Sequence, residues 1–82
     1  METRIALIGI IVSDRRQIGR LNELLSEHQQ YILGRMGLPH QNGGISLISI
    51  AIEAPEDVIS TISGRIGMME GISTKVIYAK KS

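Results

Sequence analysis

RIALIGIIV, residues 4–12, decides how the rest of the chain is read. After Arg4 it carries no polar side chain and is rich in β-branched residues, the composition of a central strand buried on both faces. A helix follows over 14–29. Ser13 or Asp14 offers its N-cap, and Asp14 with Gln17 has capping-box spacing. Ile18, Leu21, Leu24, Leu25 and His28 share one face of it, with Arg15, Arg16, Arg20, Glu23 and Glu27 mostly on the wet side.

A second strand runs from Tyr31 to Leu38, and Gly43-Gly44 closes a hairpin into a third, Ile45 to Ala54. Pro55 suits the first position of a second helix, over 55–69, and Glu56 and Asp57 complement the positive end of its dipole. Its buried stripe is Ile59, Ile62, Ile66 and Met69. Gly71 ends the element, and Ile72 to Lys80 makes a fourth strand. The order β-α-β-β-α-β, with two interleaved right-handed crossovers, predicts an α+β ferredoxin-like two-layer sandwich. Its antiparallel four-stranded sheet has order 4-1-3-2 and carries both helices on one face. With 82 residues, positions 1–82 are expected to form a single domain.

Two helices cover one sheet face, so strand alternation says what the other presents. Ile8, Ile10 and Val12, with Ile48, Ile50 and Ile52, form the bulkier set expected under the helices. Leu7, Gly9 and Ile11, with Ile45, Leu47, Ser49 and Ala51, form the second set, apolar but smaller. Soluble monomers rarely expose a patch of that kind. At about 25 cal/mol per Å², covering several hundred Å² is worth many kcal/mol before association costs. A homo-oligomer, dimer or tetramer, packed through the sheet by face or by edge, is therefore expected.

Other classes are disfavoured by composition. There are no cysteines, the formal net charge is +1, and Tyr31 and Tyr78 are the aromatic residues. Disulfides and thiolate chemistry drop out. Scattered basic residues and two rings make a poor nucleic-acid surface, so no direct nucleic-acid partner is expected. The start at Met1-Glu2-Thr3-Arg4 does not read as a signal peptide, and Ile5–Val12 is too short to span a bilayer, so no membrane partner and a cytoplasmic location are expected.

Two stretches go further: YILGRMGLPH, 31–40, followed by GGISLISI, and APEDVISTISGRIGMMEGISTKVIY, 54–78. With the RIALIGIIV start they resemble a family of small proteins, regarded as regulators, found beside the maturation genes of iron-only hydrogenases. The resemblance covers essentially the whole chain and rests on Gly34, Arg35, Met36, Gly37 and Pro39, with Ser63, Gly64 and Gly67. It implies a fold similar to ACT-like domains and to the C-terminal effector domain of the nickel-responsive repressor. It implies a regulatory role and carries over no catalytic residues. The repressor carries a DNA-reading arm, and no such part is expected here; its nickel site uses a cysteine, and this sequence has none. Amino-acid-binding ACT domains have a glycine at the first strand-to-helix turn, where this chain reads Ser13-Asp14-Arg15-Arg16-Gln17.

Among individual residues, Gly34 and Gly37 in an edge strand permit close approach of a ligand or a neighbouring subunit, or else mark a bulge that protects the edge. Arg35 between them can hold a carboxylate or phosphate, or form an ion pair. His40 and Asn42 in the following loop complete the candidate ligand-binding or interface set of Gly34, Arg35, Gly37, His40 and Asn42. His28 and His40, without a third ligand at metal spacing, argue against a zinc or nickel site, and no cofactor is expected. Ser63 lacks a plausible base, and Glu56 and Asp57 are explained by capping, so no catalytic residue stands out. The leading expectation is a non-enzymatic regulatory domain, a homo-oligomer binding a small effector or a protein partner near a subunit interface. A scaffolding subunit that binds another protein by edge-strand addition is the alternative. An enzyme with an intersubunit active site is a third.

Overall fold

The computed structural model describes residues 2–38 and 44–80. Strand β1 (Arg4–Val12) leads through a 3-10 turn (Arg15–Gln17) into helix α1 (Ile18–Glu27). A second 3-10 turn (Gln29–Tyr31) opens strand β2 (Ile32–Leu38), and β3 (Ser46–Ala54), helix α2 (Glu56–Gly67) and β4 (Ile72–Tyr78) follow. The four strands pair antiparallel throughout in the order β2-β3-β1-β4, the expected order read from the other edge.

One core holds the fold together. Ala6, Ile8, Ile10 and Val12 of β1 and Ile48, Ile50, Ile52 and Ala54 of β3 point to one side of the sheet. There they meet Leu21, Leu24 and Leu25 of α1 and Ile59, Ile62 and Ile66 of α2. Both helices thus cover the same face, and alternate positions on each central strand are the ones buried. This corrects the expectation that β1 is buried on both sides: within one subunit, Ile5, Leu7 and Ile11 stay about half exposed.

The helix boundaries also differ, for identifiable reasons. Asp14 caps the 3-10 turn, accepting from the Arg16 amide at 3.0 Å, while its carboxylate takes the Arg16 guanidinium at 2.9 Å. The Gln17 side chain does not return to Asp14 as a capping box requires; its amide donates to the Glu70 carbonyl across the domain at 3.0 Å. The α-helix consequently begins at Ile18. Pro55 stands just outside α2, and its carbonyl accepts from the Val58 and Ile59 amides. Glu56 pairs with Arg4 at 3.1 Å, and the Arg4 guanidinium stacks 4.1 Å over the Tyr78 ring, tying β1, α2 and β4 together at one end. At the other end the Ser13 amide donates to the Gly71 carbonyl at 2.7 Å.

Candidate functional site

Strand register sorts the candidate residues onto two sides of the sheet. Gly34, Met36 and Leu38 of β2 pair with Ala51, Ser49 and Leu47, on the face away from the helices. Arg35 and Gly37 pair with Ile50 and Ile48 and so belong to the helix-covered side. There the Arg35 guanidinium donates to the Asn22 side-chain oxygen of α1 at 3.1 Å. The edge strand does not bring Gly34, Arg35 and Gly37 to one surface. Pro39, His40 and Asn42, and the Gly43 half of the expected turn, lie outside the described residues.

A bulge is present as well. Ile32 faces Ile52 and Gly34 faces Ala51, so Leu33 is an extra residue that sharpens the twist of the edge. Neither glycine is demanded by the chain itself. A Cβ at Gly34 meets nothing within 4 Å, and one at Gly37 makes ordinary contacts with Leu47 and Ile48. Among the described residues, nothing requires small size at 34.

The open sheet face is the most distinctive surface. Across it, Leu38, Leu47, Ile11 and Ser73 form one row; Met36, Ser49, Gly9 and Lys75 a second; Gly34, Ala51, Leu7 and Ile77 a third; and Glu53 with Ile5 a fourth. Seven of these are large apolar residues, from 41% to 73% exposed. Small residues fill the middle. Two shallow, almost wholly apolar depressions flank Leu47, about 260 Å³ against Met36, Gly37 and Leu38 and about 310 Å³ against Gly9, Ile11 and Ser73. Glu53 and Lys75, which sequence reasoning did not single out, are the charged side chains on this face among the described residues of the strands. Their parity with Ile5 and Gly9 was the signal that marks them.

On the helix side a more polar depression of about 330 Å³ lies between Glu27, His28 and Tyr31 and Asp57, Val58 and Thr61. His28 Nδ1 lies 3.0 Å from the Leu24 carbonyl, an acceptor, which places the proton on Nδ1. Among the described residues no group of three or more His, Cys, Asp or Glu could hold a metal ion. Ser63 Oγ donates to the Ser60 carbonyl at 3.3 Å rather than toward a base. No described helix is long and apolar enough to cross a membrane.

A four-stranded antiparallel sheet with both helices on one face and an uncovered apolar face on the other defines a small α+β domain of the ferredoxin type. Within that class the chain belongs to the TM1266-like family, described as "Iron-only hydrogenase system regulator, putative", whose model matches residues 4–76. The structure of an uncharacterized protein, TM1266 from Thermotoga maritima, is similar at 31% identity with a TM-score of 0.90, covering 96% of this chain and 100% of that one. An unknown protein from Galdieria sulphuraria is similar at 14% identity and a TM-score of 0.67, over 99% of this chain and 48% of that one, so this chain spans about half its length. CPII, a nitrogen regulatory PII-like protein from Thiomonas intermedia K12 solved with ADP, AMP and bicarbonate, is similar at 15% identity and a TM-score of 0.52, over 98% of this chain and all of that one. At those two identities the likeness concerns the fold. No curated protein matches the chain.

Proposed function

We propose that this chain is a regulatory domain of the iron-only hydrogenase system, without catalytic machinery of its own. It works as a homo-oligomer built through its sheet and binds a small effector or a protein partner near a subunit interface. Membership of a family described as regulators supports the role. One observation carries the assembly: β1 has the composition of a strand buried on both faces, and a single subunit buries only one. The effector site is proposed at the β2 edge on the helix side, with Arg35 as the anion-pairing group and Gly37 on the same side. Gly34 lies on the opposite face, and His40 and Asn42, which follow in sequence, complete the proposed set. Such a site changes shape when subunits shift, which couples ligand to assembly.

Native mass spectrometry of untagged protein tests this reading. An oligomer carrying extra mass per subunit, lost on Arg35→Ala without loss of folding, is the expected result; a stable monomer overturns it. A second reading, edge-strand addition to a protein partner, draws on the exposure of β2 at every position beyond Ile32. In that case the oligomer carries no small ligand and Arg35→Ala has no effect on any thermal shift.

A further inference from the structure

We propose that the open sheet face is a two-fold, face-to-face contact with a second copy of this chain, in which Lys75 of each copy pairs with Glu53 of the other. The inference rests on the homo-oligomeric reading above and adds the axis and the pairing to it.

The register supplies the geometry. Lys75 sits in the row of Gly9 on β4, and Glu53 in the row of Ile5 on β3. Leu7 lies midway between them, one strand and one row from each. With strands about 4.8 Å apart and about 3.4 Å per residue, the line from Leu7 to Met36 on β2 crosses the Lys75–Glu53 diagonal at close to a right angle. A two-fold axis along that line, lying between two facing sheets, sets Lys75 over the partner copy's glutamate and Glu53 over its lysine at the same time. It stacks Leu7 on Leu7 and Met36 on Met36, and brings Ile77 against Ile5. Gly9 meets Ala51, and Ser49 meets Gly34, so the two backbones approach closely where side chains are small. This gives Gly34 a use that its own subunit does not supply.

The obvious competitor does worse. An axis along the strand direction through the middle of the face sets Lys75 against Met36 and Glu53 against Ile5, leaving both charges against apolar groups at a desolvation cost. Size is also adequate. Ile5, Leu7, Met36 and Ile77 are 49%, 48%, 73% and 67% exposed. They offer about 500 Å² of apolar surface per copy, and the lysine stem and small residues between them bring the contact toward the roughly 800 Å² per partner of a standard interface. Charge pairs of this kind select the register of an otherwise apolar contact.

Sedimentation equilibrium on the wild type, Lys75→Glu, Glu53→Lys and the double variant tests the proposal. Both substitutions change exposed side chains, and circular dichroism verifies that each of the three variants is folded. Each single reversal is expected to raise the dissociation constant at least about tenfold by setting like charges against each other, and the double reversal to restore it. An oligomer indifferent to the single reversals, or not rescued by the double, overturns this pairing and leaves the assembly reading standing. A monomeric wild type overturns both.

Discussion

Gly71 is held at a φ of +75°, and a Cβ built there falls 2.6 Å from the Asp14 Cβ. Two costs therefore add in Gly71→Ala: the left-handed conformation, about 1–2 kcal/mol for an L-residue, and a collision with a side chain that the Ser13–Gly71 hydrogen bond holds close. The variant is expected to lose about 2 kcal/mol or more by urea denaturation. Gly64→Ala, in the interior of α2 with no atom within 4 Å of its Cβ, is expected to gain about 0.5–1 kcal/mol from helix propensity. Asp14 makes a further prediction. Hydrogen bonds from Arg16, side chain first and then backbone, hold its carboxyl below the ordinary 3.8. Because the folded value is the lower one, the unfolded chain takes up the proton first, so the contribution is complete above 3.8 and lost as pH falls through the folded value. Asp14→Asn should flatten that part of the acid limb of the stability curve. The turn at Gly71 was legible from its place before an apolar strand, but α2 itself ends earlier, at Gly67. The second role of Asp14, capping a 3-10 turn rather than an α-helix, was not, because it depends on Gln17 reaching Glu70, 53 residues away.

At the level of strands and helices, periodicity carried most of the reading. The stripes on α1 and α2 and the parity of β1 and β3 follow from where apolar residues recur, since period reports which side is buried, and the strand order follows from the two right-handed crossovers. What periodicity did not separate was the edge. GRMG reads as one motif along the chain, yet the pleat sends Gly34 and Arg35 to opposite sides, and the Leu33 bulge shifts the register by one. Burial cannot mark a strand whose positions beyond Ile32 are all exposed. The two assembly modes make different demands here. In a face-to-face assembly β1 and β3 keep both neighbours while the outer edge of β2 stays unpaired, so hydrogen exchange of β2 amides is expected to run well ahead of β1 amides. Equal protection of β2 and β1 in the native oligomer means that another strand occupies the edge, which is the outcome edge-strand addition requires.

An assembly held by its sheet faces has a stability that depends on protein concentration, because association and folding are linked. The wild-type melting temperature is expected to rise with concentration. Leu7→Asp decides whether the sheet face is responsible. Leu7 is 48% exposed in the subunit, so the change costs little within one chain, but on the proposed axis it sets two carboxylates against each other inside an apolar contact. Ile11→Asp is the matched control: it lies on the same face at 44% exposure but in the row beyond the overlap, where the partner copy reaches no further than its β2 edge. Leu7→Asp is expected to give a folded monomer whose melting temperature no longer depends on concentration. Ile11→Asp is expected to keep the oligomer with at most a modest loss. Equal disruption by both points to an axis through the centre of the face rather than through Leu7 and Met36. An oligomer that survives Leu7→Asp removes the open face from the interface and moves the assembly to an edge.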